Sequence, residues 1–174
     1  MQKKITFPVS HWGKGTEVQF MPMNKMVPSN QVTSCFVFAV HDNKLLMIRP
    51  PRGWGLPGGH KEPDESPEEC VRREAFEEAV VELGKLDLIG GWEAKKIFKT
   101  ETNAKYPDLA YQLLYFAEVE KIKPFRSDFE VLERALVNMK DVTELNSSPT
   151  FEPVFLYTLD KYKLNGRSHF KLSG

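Results

Sequence analysis

The chain has 174 residues, 41% of them hydrophobic and 28% charged, the composition of an ordinary globular protein with a packed interior, which excludes a disordered or fibrous chain. Lysine plus arginine equals aspartate plus glutamate at 24 each, so no net field recruits a membrane surface or a long nucleic acid as partner. The length suits one domain over 1–174, no window approaches the ~20 apolar residues of a membrane span, and Met1 to Pro8 lead into no apolar run of signal-peptide length, so a cytoplasmic location is expected.

In chain order, the segment 1–30 reads as an extension of that domain. Its stretch through Pro28 could cover a sheet edge of its own chain or of a partner, which leaves a homodimer open. Apolar density over Thr33 to Val40 and Leu45 to Ile48, around His41-Asp42-Asn43-Lys44, predicts a hairpin with an Asp-Asn turn. Arg49 to Gly59, rich in proline and glycine, reads as loop. A helix is predicted from Ser66 to about Glu82: Ser66 is a good N-cap, Pro67 suits the first helical position, Glu69 completes a capping box, and Gly84 can end it. Leu86 to Phe98 and Ala110 to Val119 carry strand-like content on either side of a polar loop, Lys99 to Asp108, and Arg134 to Met139 reads as one more strand. Phe151, Phe155, Leu159 and Tyr162 recur at helical spacing and predict a C-terminal helix within 148–163, capped by Ser148 or Thr150. Strands, helix, strands, helix imply an α/β layered domain with a mixed sheet.

The chemistry concentrates on the first helix. Glu74, Glu77 and Glu78 lie three and four apart, so their carboxylates crowd one helical stripe, where like charges repel unless a cation sits among them. The donors are all oxygen, which points to Mg²⁺ first and Mn²⁺ second, and Mg²⁺ bound by few carboxylates expects a phosphorylated ligand. The two cysteines, Cys35 and Cys70, have no second sulfur near them in sequence, so a zinc site or disulfide framework is not expected.

From Gly59 the sequence runs Gly, five residues, Glu65, seven residues, Arg73-Glu74, Ala75, Phe76, Glu77-Glu78, Ala79, Val80, Val81. This resembles the Nudix box of the Nudix hydrolase family, with its mutator-type, nucleoside triphosphate pyrophosphohydrolase-like members as the nearest pattern. Gly59, Glu65, Arg73, Glu74, Glu77 and Glu78 occupy the required positions, while Val80 stands where the family has glycine, which suggests a helix running on toward Gly84. The resemblance implies an α/β/α sandwich with a central mixed sheet and the catalytic helix beside it. It also implies Glu74, Glu77 and Glu78 as metal ligands, with Gly59 joining through its carbonyl, Arg73 orienting them, and Glu65 pairing with Arg73. The expected reaction is attack of a metal-activated water on one phosphorus of a diphosphate.

A base must take the proton of that water. The loop Lys121 to Glu133 supplies Asp128, Glu130 and Glu133, of which Glu130 is the first choice. Arg49, Arg52 and Lys61 flank the glycines as candidate phosphate ligands, and Trp54 as a surface for a base. His60 reads as a loop residue, and the aromatic residues of Tyr111 to Phe116 as packing. The expected substrate is a small nucleotide, a nucleoside triphosphate, oxidised forms included, giving monophosphate and pyrophosphate. ADP-ribose or a nucleotide sugar is the alternative. A non-catalytic ligand sensor on the same fold would tolerate loss of the carboxylates, and this chain retains them.

Overall fold

The structure, a computed structural model, describes residues 5–127 and 130–164. Two short strands, β1 (Ser10–His11) and β2 (Thr16–Pro22), precede β3 (Val32–His41) and β4 (Lys44–Arg49). Asp42 and Asn43 join β3 to β4 with φ of 48° and 60°, the paired left-handed conformation that suits a two-residue hairpin turn. The next elements are β5 (Gly58–His60), α1 (Pro67–Ala79), β6 (Val81–Leu83), β7 (Asp87–Lys96), β8 (Leu109–Ile122) and β9 (Glu133–Asn138). A four-residue α2 (Val142–Leu145) and α3 (Phe151–Leu164) complete the described chain.

The strands form a mixed sheet in the order β1-β2-β7-β8-β3-β4-β9, with β5 also paired to β3 and β6 to β8. The β3–β8 pair is parallel and central, and the other pairs are antiparallel. The N-terminal strands therefore cover the β7 edge of their own sheet. Side-chain alternation along β3 builds two cores. Cys35, Val37 and Ala39 face α1, where Val71, Ala75 and Ala79 present a stripe of four-residue spacing. The small Ala75 is fully buried at that contact. Phe38 and Val40 face the other way, against Val154, Phe155, Leu159 and Tyr162 of α3. Each large side chain fully buried in these layers contributes about 1.5–3 kcal/mol. The result is the α/β/α sandwich expected, with α1 laid beside the sheet. Among the described residues no helix is long and apolar enough to cross a membrane.

Two expectations are corrected. The stretch read as loop up to Gly59 ends in strand, because Gly58, Gly59 and His60 pair with Phe36, Cys35 and Ser34. The helix does not run on to Glu82 or use Gly84 as its cap. It stops at Ala79, and Val80 takes the left-handed conformation itself, with φ of 53° and ψ of 48°. Continuation loses to pairing, since Val81–Leu83 leave the helix to join β8. Arg134 Nη1 donates to the Ala79 carbonyl at 2.6 Å and to that of Lys123 at 3.0 Å, satisfying the freed helix end. Gly84 instead lies against β8, its N–H on the Glu118 carbonyl at 2.9 Å.

A β-branched residue in the left-handed region is strained by about 1–2 kcal/mol. Glycine at position 80 would relieve that strain, whereas alanine keeps a Cβ in the same conformation. Val80→Gly is therefore expected to be more stable than Val80→Ala by about 1 kcal/mol, the reverse of the order at most half-buried positions. Urea denaturation of the two variants checks the sign, and the ordinary order would refute the strain.

Candidate active site

The site is assembled where β5 and the loop after it meet the middle and C-terminal half of α1. Ser66 accepts from the Glu69 N–H at 3.2 Å and Glu69 accepts from the Ser66 N–H at 2.8 Å, so the capping box fixes the rotation of the helix and hence the bearing of its glutamates. Arg73 is the hub. Its Nε and Nη2 grip both oxygens of Glu65 at 2.8 and 3.0 Å, Nη2 reaches the His60 carbonyl at 3.0 Å, and Nη1 is shared by Glu74 and Glu77 at 2.9 Å each. That grip holds the Glu65 carboxyl below the usual range, against a smaller opposing effect of burial. The pairing of Glu65 with Arg73 is thus present, and it ties the loop to the helix.

Glu78 is turned the other way and accepts from the Gly58 N–H at 2.8 Å. Burial pushes its carboxyl up to about 7 in spite of that hydrogen bond. Glu74 and Glu130 raise it further and Arg52 opposes them. Burial likewise raises Glu74, against Arg73, with Glu77 and Glu65 adding to the rise. Gly59 lies close under Glu74, and a Cβ there would come within 2.6 Å of its carboxylate oxygen. With Arg73 between Glu74 and Glu77, and Glu78 on Gly58, no three acidic, His or Cys side chains close into a ligand cluster among the described residues.

The other sequence candidates separate clearly. Arg52 makes no hydrogen bond or ion pair among the described residues, yet lies close enough to lower the Glu78 pKa. Arg49 is engaged, with Nε and Nη2 on Glu133 at 3.0 and 2.9 Å and its guanidinium 5.9 Å from the Trp54 ring centre. Lys61 is tied to the carbonyls of Glu62 and Glu65 at 2.9 and 2.8 Å. Glu130 is exposed and acts on Glu78 through its charge, while Asp128 lies outside the described residues. His60 turns from the glutamates toward Tyr106, its Nε2 3.5 Å from the phenol oxygen. Cys35 and Cys70, distant in sequence, come together as free and fully buried thiols; the hydrogen bond between them, then burial, raises the Cys35 pKa.

On the far side of β5, facing α3, a cleft of about 610 Å³ opens between Arg52, Trp54, Phe36, Trp92, Phe151 and Asn146. Asn146 Nδ2 donates to the Trp54 carbonyl at 3.1 Å and so fixes the indole's backbone.

A model of the Nudix domain matches residues 29–157 of the 174. The chain belongs to the Nudix hydrolase family. No curated protein matches it significantly by sequence. Among solved structures, a pyrophosphohydrolase of Bacillus subtilis superposes with a TM-score of 0.63 at 19% identity over 84% of this chain and 92% of that one. A Nudix hydrolase of Nitrosomonas europaea gives 0.57 at 20% over 75% and 90%, and a MutT protein of Methanosarcina mazei 0.52 at 18% over 76% and 95%. These likenesses bear on the fold. Within this Nudix chain the box supplies the acidic half of the site. The aromatic half was missed, because Phe36, Trp92 and Asn146 come from separate strands and a loop with no shared spacing. Tyr111, Phe116 and Tyr115 do pack in the layers, as expected.

Proposed function

We propose that this Nudix chain is a Mg²⁺-dependent hydrolase of a diphosphate bond in a small nucleotide. The observation that carries this reading is the placement of desolvated, mutually repelling carboxylates, Glu74 and Glu78, against the Gly58–Gly59 backbone, with the Arg52 charge acting on Glu78 and an aromatic cleft beginning beside Arg52. Carboxylates raised by burial and by each other are the donor set that a hard divalent cation relieves, so the residues fit Mg²⁺. Glu74, Glu77, Glu78 and the Gly59 carbonyl would hold it. When bound, the ion supplies charge to the phosphate oxygens and lowers the pKa of water.

The protein's own residues divide the remaining work. Arg73 positions two of the three glutamates and, through Glu65 and the His60 carbonyl, locks them to the strand that carries Gly59. Arg52 takes a non-bridging phosphate oxygen, since a guanidinium without an internal partner beside acidic groups is suited to a bridging anion. Trp54 offers its ring to a base, with Arg49 behind it as a packed support rather than a phosphate ligand. The attacking water gives a proton to Glu130, its oxygen bonds to phosphorus, and the bridging P–O bond breaks with its electron pair on the departing phosphate. The pyrophosphohydrolase name of the Bacillus subtilis relative agrees with that bond cleavage.

A nucleoside triphosphate, the simplest substrate, would place its base in the Trp54 cleft and be split to nucleoside monophosphate and pyrophosphate. The test is a panel of nucleoside triphosphates, ADP-ribose, dinucleoside polyphosphates and sugar nucleotides with Mg²⁺ or EDTA, products resolved by chromatography. Cleavage in Mg²⁺ that EDTA abolishes is expected. Tight binding of one member without turnover of any would mark a sensor and refute the reading.

A further inference from the structure

Arg134 does more than end a helix. It stands on β9 opposite Ile48 of β4, and its Nη1 donates to the Ala79 carbonyl at 2.6 Å and to the Lys123 carbonyl at 3.0 Å. Ala79 is the last residue of α1 and follows Glu78 directly, whereas Lys123 opens the stretch between β8 and β9 that carries Glu130. One nitrogen, with two hydrogens to give, therefore holds the backbone beside a candidate metal ligand and the backbone leading to the candidate base. The guanidinium also lies 5.2 Å from the Phe125 ring centre, a cation–π distance that gives it a second hold on the same stretch.

A helix cap alone would need only the Ala79 carbonyl. The added contacts belong to the 123–125 flank, which meets the helix exit a second time through the Lys123 N–H on the Val80 carbonyl at 3.0 Å. The other flank is tied through the residue before Arg134. Glu133 pairs with Arg49, and the Arg49 carbonyl accepts from the Leu132 N–H at 3.0 Å, next to Val131, which is buried in the core that α1 covers. Glu130 precedes that buried anchor by one residue, and its charge reaches Glu78. Two adjacent residues of β9 thus set both flanks against α1. A lysine at 134 would offer a point charge in place of the planar fork, enough for a carbonyl but not for a carbonyl pair and the Phe125 ring together.

Resting on the reading that Glu130 takes the proton of the attacking water, we infer that Arg134 is a positioning residue for hydrolysis, one that fixes the separation between Glu130 and the α1 glutamates by clamping Ala79 and Lys123 together. It touches neither substrate nor metal. A proton acceptor displaced by about 1 Å loses about 100-fold in rate, so the clamp acts on turnover through Glu130 and leaves ground-state binding alone.

Initial rates with Mg²⁺ and the best substrate of the panel above, measured on Arg134→Met, Glu130→Gln and the double variant, test this. Methionine keeps most of the side-chain volume and removes the donors. Arg134→Met should lower kcat about 10- to 100-fold with KM within about twofold. In the double variant it should add less than about twofold to the loss already present in Glu130→Gln, because a base that is absent has no position to lose. Arg134→Lys, which keeps a donor for one carbonyl, should fall between wild type and Arg134→Met. Hydrogen exchange on the metal-free proteins reads the clamp without turnover: peptides over Ile122 to Phe125 should exchange about tenfold faster in Arg134→Met, and those over Cys70 to Ala75 at the wild-type rate. Losses that multiply in the double variant, as a general destabilisation gives, or unchanged exchange over 122–125, overturn the positioning role. An impaired Glu130→Gln beside a normal Arg134→Met refutes the role of Arg134 alone, whereas Glu130→Gln at the wild-type rate refutes the base assignment and the positioning role with it.

Discussion

Glu78→Gln is expected to lower Mg²⁺-dependent turnover about 100- to 1000-fold while making the metal-free protein more stable above pH 7. The two effects have one origin. Glu78 is desolvated and faces Glu74 and Glu130, which lifts its carboxyl from the ordinary 4.5 to about 7. Because the folded state then binds a proton more tightly than the unfolded chain, stability falls as pH rises from about 4.5 to about 7, and the full penalty is present above that window. A neutral glutamine has no such penalty and still offers an oxygen to the Gly58 N–H. The gain at pH 8 in EDTA is on the order of 1–2 kcal/mol once solvent screening of a partly exposed group is allowed for. At pH 4.5 or below it should vanish. Thermal melts at pH 8 and pH 4.5, with EDTA or Mg²⁺, check this: Mg²⁺ should raise the wild-type midpoint strongly and the variant's weakly. Retained turnover, or a variant less stable than wild type at pH 8 in EDTA, would remove Glu78 from the metal site.

The sequence made the acidic half of the site legible because it is local. Glu74, Glu77 and Glu78 share a helix whose start is written in Ser66, Pro67 and Glu69, and Glu65 lies one loop from Arg73. The end of that helix was misread because local propensity has no knowledge of β8. Val80 bears the left-handed strain that glycine would avoid, since pairing of Val81–Leu83 outweighs it. β5 escaped notice for a related reason: two glycines and a histidine carry no periodicity, and they are strand only because β3 offers them partners.

The aromatic half was illegible for want of any spacing. Phe36, Trp92 and Gln112 become neighbours only through register, Trp92 against Gln112 on β7 and β8 and Phe36 beside them on β3, while Trp12 and Tyr106 come from connecting loops. Arg49 and Arg52 show the same limit at closer range. Three residues apart, they looked equivalent, but β9 brings Glu133 to Arg49 and leaves Arg52 open toward Glu78.

The adjacent glycines of β5 should respond to alanine in opposite ways, and the contrast separates folding from chemistry. Gly58 has φ of 148°, where an L side chain is strained, and a Cβ there would collide with the Cys35 carbonyl oxygen and lie 2.6 Å from Phe36 Cα. Those atoms belong to the backbone of the central strand β3 and cannot step aside. Backbone strain and overpacking together make Gly58→Ala destabilising by about 3 kcal/mol or more. Gly59 has no such backbone constraint. The atoms nearest its added Cβ would be those of the Glu74 carboxylate, at 2.6 to 2.8 Å, the end of a flexible side chain. Glu74 can swing away, so Gly59→Ala is expected to leave the urea midpoint within about 1 kcal/mol of wild type. The displaced carboxylate would, however, no longer hold its place beside Arg73 and the Gly59 carbonyl. A shift on the order of 1 Å in a positioned group reduces turnover about 100-fold. Urea denaturation and initial rates measured on both variants decide the matter: a Gly59→Ala protein that turns over normally would mean that Glu74 is not positioned for catalysis at all, and a Gly58→Ala protein of wild-type stability would mean that β5 is not seated on β3 as described.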